Sequence, residues 1–306
     1  MSLDTAKAYA IQRSLTAKFN NAISSAEPFY PMVSTIVQSN GADEEYGLLG
    51  NMPGVREWVG PRIFNELRAA KFTVTNKLWE ASLLFEKDNI ADDRIGLYGP
   101  IMEQLAIEAG YHPDELLFET MIVGGATTLC FDGQYFYDTD HSWGSSGTLS
   151  NLKTYNASDH TAVTAAEFKA AFIQAKNTML DFKNDQGKLL NRPTTRSLNS
   201  LLCVVPTELY QPAEEAFQSV IISNSSNIVL DRPKVICSPH LTDAASWYLF
   251  NLGTALKPFV FQAREPLSVS WKGADDIETK ELKCMTRARY NMGYLAWWTS
   301  VKTTFN

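Results

Sequence analysis

The sequence predicts a mixed α+β protein, and three observations carry that expectation. Ile11, Leu15, Phe19 and Ile23 recur every four residues within 3–24, the spacing of one helix face. Thr164-Ala165-Ala166-Glu167 forms a capping box ahead of Phe168, Phe172, Ala175, Met179 and Phe182, which signals a second helix start. From Ile228 onward the text turns to short apolar runs, and Leu267, Val269 and Trp271 alternate with Ser268 and Ser270 as in a half-buried strand. With 306 residues, 45% of them hydrophobic and 20% charged, the chain can bury one large core or two modest ones without metal or disulfide staples.

The first helix has Asp4 near its start, where a carboxylate suits the helix dipole, and Glu27-Pro28 stops it. Phe29–Val37 reads as extended and Ser39–Glu45 as a polar turn. Tyr46–Asn76 mixes Gly47, Gly50, Gly54, Gly60, Pro53 and Pro61 with Leu48, Leu49, Trp58 and Val59, and no period emerges. A loop of that length is uncommon inside a compact domain and usually has a function. Phe72–Val74 and Leu78–Phe85 look like strands.

Residues 96–123 are predicted helical in two pieces, with a kink near 110–112 where Gly110 and Pro113 interrupt the pattern. Gly124-Gly125 ends the second piece. Leu129–Trp143 is aromatic and acidic, and 144–158 is a Gly/Ser/Asn-rich loop. A buried strand over Ser200–Val205 precedes a short helix around 213–218. Further strands are expected at Ile228–Leu230, Val235–Cys237, Trp247–Leu252 and Phe259–Phe261, and one or two more after 281, where Tyr294, Ala296 and Trp298 alternate with Leu295 and Trp297.

Net charge is −7, so the chain lacks the basic surplus of a tight nucleic-acid binder. The amino-terminal stretch is locally basic, with Lys7, Arg13 and Lys18 against Asp4. Cys130, Cys203, Cys237 and Cys284 lie far apart in apolar runs, which argues against a zinc ribbon or disulfide framework and for thiols acting as small hydrophobes in a reduced compartment. Residues 1–20 contain no secretory h-region, and no apolar run reaches the ~18 residues of a membrane span. The expected location is a cytoplasm, or something assembled there.

Phosphate-loop, dinucleotide, zinc-protease and nucleophile-elbow motifs are all missing. The best chemical candidate is Asp138-Thr139-Asp140-His141. These residues could ligate a metal in a metal-dependent hydrolase. They could equally form a turn whose Asp side chains accept backbone N–H bonds, with His141 closing its end. Trp58, flanked by Arg56 and Arg62, is either a core residue reached by its loop or an anchor that buries itself in a neighbouring chain.

Several blocks occur in a telling order: Tyr46–Gly50 with Arg56–Gly60, Gly96–Pro100 with Pro113–Leu116, Cys130–His141, and Lys257–Gln262. Together they resemble the major head subunit family of Mu-like transposable bacteriophages, which is similar to the tailed-phage major capsid proteins of the Hong Kong 97-type fold. That resemblance implies an N-terminal arm at 1–27 and a first part of a peripheral domain at 28–127, including an extended loop at 46–77 and a spine helix at 93–124. It implies an axial domain at 128–255 and a return to the peripheral domain at 256–306.

The function implied is structural, not enzymatic: self-assembly into hexamers and pentamers of an icosahedral head around double-stranded DNA. Arg56, Glu57, Trp58, Val59 and Arg62 would make inter-subunit contacts. Asp132, Gly133, Asp138, Asp140 and His141 would form the family-motif turn, and Lys7, Arg13 and Lys18 a lumenal basic arm. No catalytic residue, metal or cofactor is carried over. The partners implied are other copies of the chain, a separate scaffold protein, a portal, a decoration protein as a further candidate, and packaged DNA through non-specific contacts, with no membrane. The alternatives to a shell subunit are the hydrolase centred on Asp138, Asp140 and His141, or another ring-forming virion component.

Overall fold

The computed structural model describes residues 5–50, 57, 68–86, 89, 95–191, 200–218, 221–222, 225–226, 233–273 and 281–306. In chain order the first elements are α1 (Thr5–Ser25), α2 (Tyr30–Val33), β1 (Ser34–Gln38), β2 (Asp43–Gly50), β3 (Arg68–Thr75), β4 (Lys77–Glu86) and α3 (Ile95–Leu116). After α3 come β5 (His141–Ser142), β6 (Thr148–Leu149), β7 (Leu152–Tyr155), α4 (Ala165–Leu180), β8 (Leu201–Val205) and α5 (Thr207–Gln218). The last are β9 (Ile221–Ile222), β10 (Ser225–Ser226), β11 (Lys234–Cys237), β12 (Ser246–Asn251), β13 (Phe259–Lys272), β14 (Glu281–Tyr294) and β15 (Ser300–Phe305). The predicted strand at 228–230 lies outside the described residues.

Two sheets organise these elements. The first has the order β1-β13-β14-β4. β1 runs parallel to β13, and β14 runs antiparallel to both β13 and β4. The two strands predicted at 259–261 and 267–271 are one, with register shifts between Ala263 and Ser268. Pro266 lies in that gap, where its missing N–H costs the ladder a donor. The second sheet has the order β11-β8-β12-β15-β7. Its β8 and β12 are buried at every residue, the continuous apolar reading of a strand covered on both faces. Phe168 and Phe172 of α4, Phe217 of α5 and Trp247 of β12 pack together over it.

α1 buries Ala8, Gln12, Leu15 and Phe19, one stripe at three- and four-residue spacing. Leu15 and Phe19 enter a separate core with Phe85, Met102, Ala106, Leu282 and Cys284, so the arm helix lies between α3 and the first sheet. The expected division into two helical pieces near 110–112 is absent: α3 runs unbroken through Gly110 and Pro113, and regular winding yields only afterwards, to a π-turn at Leu117–Ile122 and a 3-10 turn at Val123–Ala126. Pro113 withholds a single N–H, and the residues beside it are held from outside the helix. The Asp114 carboxylate accepts the N–H of Phe29 at 2.7 Å and of Tyr30 at 2.6 Å, and His112 Nδ1 lies 2.6 Å from the Tyr290 hydroxyl. Such anchors offset the ~1 and ~3 kcal/mol that glycine and proline cost a helix interior. The same carboxylate caps α2, which explains why Tyr30–Val33 is helical where the sequence suggested extension.

Four further expectations change. The stretch 46–76 is not structureless at its two ends, because β2 and β3 form an antiparallel ribbon from the Asp43–Thr75 pair to the Gly50–Arg68 pair. Its glycines disguised the alternation that marks a strand. The loop expected at 144–158 contains β6 and β7, and the helix expected at 213–218 begins already at Thr207. The alternation read through 294–298 is broken, since β14 ends at Tyr294 and Trp297–Thr299 form a 3-10 turn. The N–H groups of Leu295 and Ala296 both go to the Pro258 carbonyl, and 294–298 is buried throughout. Here the chain crosses from the first sheet to the second, so the segment 256–306 divides between them: β13 and β14 in one, β15 in the other.

The predicted capping box is present: Thr164 Oγ1 accepts the Glu167 N–H, and the Glu167 side chain accepts the Thr164 N–H. These bonds and the Ser158 N–H hold the Glu167 carboxyl at about 2. Thr164→Ala is expected to lower stability by about 1 kcal/mol, read as a shift of the urea midpoint at constant slope.

Candidate functional site

The ribbon β2–β3 is fastened at its root by a polar knot. Glu44 Oε1 accepts the N–H of Asn40 at 2.9 Å and of Gly41 at 3.0 Å, and the Ser39 hydroxyl at 3.0 Å. Those bonds hold the Glu44 carboxyl below its ordinary range. Asn76 Nδ2 donates to Ser39 Oγ and to the Gly41 carbonyl, which Arg264 also reaches. Further out, the amide of the fully buried Gln262 accepts the Tyr46 hydroxyl at 2.8 Å and donates to the Val74 carbonyl at 3.1 Å. Tyr46 and Phe72 stack across the ribbon with ring centroids 5.1 Å apart, and burial pushes the Tyr46 phenol up to about 12.

The ribbon is thus bound on both strands to β13, and its eight residue pairs reach about 23 Å from root to far end at ~3.3 Å per residue. Of the predicted contact residues, Glu57 is exposed; Arg56, Trp58, Val59 and Arg62 lie outside the described residues.

In the expected basic arm, Lys7 and Arg13 are exposed on α1, but Lys18 is engaged. Its Nζ lies 3.0 Å from Glu103 Oε1 of α3, an exposed pair worth at most ~1 kcal/mol. Thr16 Oγ1 accepts the Trp271 indole N–H at 2.9 Å, so α1 is docked on its own chain.

The acidic turn behaves differently from a metal site. His141 is fully buried, stacked on Trp297 at 4.0 Å with an interplanar angle of 8°. Its Nδ1 lies 2.7 Å from Asp132 Oδ2 and its Nε2 lies 3.2 Å from Asn151 Oδ1. Asn151 is oriented in turn by donating from Nδ2 to the carbonyls of Phe136 and Trp297. Asp138 spends its carboxylate on the N–H groups of Tyr135 and Thr139, while Asp140 is exposed.

The three residues of the proposed hydrolase centre therefore do not converge, and both nitrogens of His141 are occupied by other partners. Among the described residues no group of three or more His, Cys, Asp or Glu could hold a metal ion. The turn reading holds for Asp138, whereas Asp140 is exposed and His141 serves the core. Asp132 is its partner, brought opposite by the turn in which Gly133 adopts φ +82°, a conformation that favours glycine. The signal in the sequence was the Asp-Gly pair ahead of the histidine.

None of the four cysteines is in a disulfide, and burial raises each thiol, Cys284 to about 11. Among the described residues no helix is long and apolar enough to cross a membrane.

A cleft of about 210 Å³ opens between α3 and the edge strand β4. Trp79, Tyr290 and His112 form its aromatic wall, with Trp79 and His112 centroids 4.4 Å apart and the Trp79 indole N–H donated to the Tyr290 carbonyl. Burial lowers the His112 pKa against the opposing pull of Glu115 and Glu119, and its Nδ1 shares a hydrogen bond with the Tyr290 hydroxyl. Glu80, Glu108 and Glu115 also line the cleft.

Comparison with known proteins follows the same outline. The sequence profile of the family described as Mu-like prophage major head subunit gpT matches residues 9–166. The Mu-like prophage FluMu major head subunit of Haemophilus influenzae is 36% identical over 150 residues, covering 48% of each chain. The major capsid protein of Escherichia phage Mu is 32% identical over 141 residues, covering 46% of each. The chain spans about half the length of the curated relatives it matches. The subunit in the procapsid of bacteriophage JBD30 superposes with a TM-score of 0.60 at 25% identity, covering 97% of this chain and 74% of that one.

Asp132→Ala is expected to strand the buried His141 N–H without an acceptor and to cost about 1–3 kcal/mol, measured by chemical denaturation. Because the folded His112 has a lowered pKa, its contribution to stability is complete above the unfolded value of ~6.5 and is lost as pH falls through the folded one. The melting temperature of the parent chain is therefore expected to drop more steeply between pH 7.5 and 5.5 than that of His112→Gln.

Proposed function

The chain belongs to the family of Mu-like prophage major head subunits, and from that membership we propose that it is the repeating subunit of an icosahedral phage head, assembled as hexamers and pentamers around double-stranded DNA. The observation that carries the proposal is the family match across the arm, ribbon, long helix and histidine turn, joined to the likeness to the JBD30 procapsid subunit along nearly the whole chain. The hydrolase alternative loses its support with the dispersal of Asp138, Asp140 and His141.

In this reading the first sheet with α3 is the peripheral domain and α3 its spine. The second sheet with α4 and α5 is the axial domain, which also takes β15 from the carboxy-terminal segment. The ribbon is the extended loop, and its tip residues Arg56, Glu57, Trp58, Val59 and Arg62 grip the adjacent copy. Residues 1–27 are the arm; Lys7 and Arg13 face the lumen, while Lys18 fixes the arm to α3.

Physical economy supports the arrangement. A closed shell is built from repeated contacts of modest strength, each near the ~1,600 Å² of a standard interface. A ribbon laid over one neighbour and an arm directed at another spread contact across several partners, and avidity multiplies them. Heterologous contacts of this kind close into rings where the rotation allows. The net charge of −7 keeps the wall from holding packaged DNA at every phosphate. A separate scaffold, a portal and a decoration protein complete the proposed assembly, which forms in the host cytoplasm and ends as the virion capsid.

Replacing 51–67 by a two-residue Asn-Gly turn closes the ribbon at the Gly50–Arg68 pair. The product is expected to be a folded, soluble subunit with an unchanged melting temperature that forms no shells in electron micrographs. Shells of normal appearance from this variant would overturn the ribbon's role.

A further inference from the structure

The cleft between α3 and β4 has a specific chemistry. Its wall is π-surface from Trp79, Tyr290 and His112, and its carboxylates come from Glu108 and Glu115 of α3. Glu108 accepts the Gln104 amide. Among the described residues no ion pair neutralises either of them. On β4, Lys77 places its Nζ 6.0 Å over the Trp79 ring. The volume, about 210 Å³, falls below the ~300–1,000 Å³ of small-molecule pockets and suits one long side chain.

Aromatic faces bordered by carboxylates select a flat cation. A guanidinium can stack on indole and phenol while its forked N–H groups bind a carboxylate bidentately, which an ammonium cannot do. The arginines next to the cleft on the first sheet are committed elsewhere: Arg287 and Arg289 pair with Glu265, and Arg264 reaches the Gly41 carbonyl. Trp79 stands close to the root of its own ribbon, whereas Arg56 and Arg62 follow the ribbon's far end.

We infer that this cleft receives the guanidinium of Arg56 or Arg62 from the ribbon of a neighbouring copy, a contact that rests on the shell reading and gives the ribbon its specific seat.

The test is a charge exchange in the full-length chain, read as the protein concentration at which shells appear by sedimentation and electron microscopy. Arg56→Glu with Arg62→Glu on the ribbon, and Glu108→Arg with Glu115→Arg in the cleft, are each expected to raise that concentration about tenfold or more. Combining both sets is expected to bring it back to within about threefold of the parent, a coupling that only directly interacting groups show.

Melting temperatures within a few degrees of the parent establish that each variant folds. For a cleft pair that does not fold, Glu108→Gln alone takes its place, with an expected rise of about threefold in the threshold. Unchanged thresholds in either single set, or no recovery in the combined chain, would overturn the assignment. Normal assembly of the cleft variants beside failure of the 51–67 replacement would remove the seat but keep the ribbon's role. Normal assembly of that replacement would remove both.

Discussion

Strand β14 is hydrogen-bonded along both edges, to β13 on one side and to β4 on the other, and the outward-facing parts of the molecule depend on that double pairing. Its partner β13 carries Gln262, which holds the ribbon. Its other partner β4 carries Trp79, whose indole N–H returns to the β14 carbonyl at Tyr290. Leu282 and Cys284, near the start of β14, are buried beneath α1 and α3. Where β14 ends, the chain turns through Trp297, against which His141 stacks. A disturbance in the middle of this strand would reach ribbon, arm, long helix and acidic turn together, because each is fastened to it directly or through one neighbour.

Polar groups are used here to fix backbone, not to perform chemistry. Asp114 caps a helix belonging to another part of the chain, Asp132 and Asn151 clamp one imidazole, and Asn191 donates to the Met179 and Trp298 carbonyls. Each spends most of its donors or acceptors on peptide groups, which leaves little capacity for a substrate. Buried groups satisfied in this way confer a single geometry, which the proposed shell subunit needs more than it needs reactivity.

Local features were legible in the sequence where local physics decides them. The capping box at Thr164, the apolar stripe of α1 and the buried run at β8 all stand as read. The ribbon was hidden because glycines at 47 and 50 look like turns, while backbone pairing with 68–75 tolerates them. The continuity of α3 through Gly110 and Pro113 was hidden because its anchors, Phe29, Tyr30 and Tyr290, are remote in sequence. In the acidic run, spacing brought Asp138, Asp140 and His141 together on paper. The fold chose Asp132 instead, across a glycine turn, and Asn151 beyond it. The ordered blocks pointed to the right family although no single residue in them reveals a role.

Gln262 has one amide, and both of its ends are occupied: the oxygen by Tyr46 on one strand of the ribbon, the nitrogen by Val74 on the other. Tilting the ribbon in either direction would break one of these bonds in a place where water cannot replace it. The angle at which this cantilever leaves the body is therefore built into each molecule before it meets another. In the proposed shell, curvature then begins as a property of a single folded chain, and little entropy remains to be lost when two copies join.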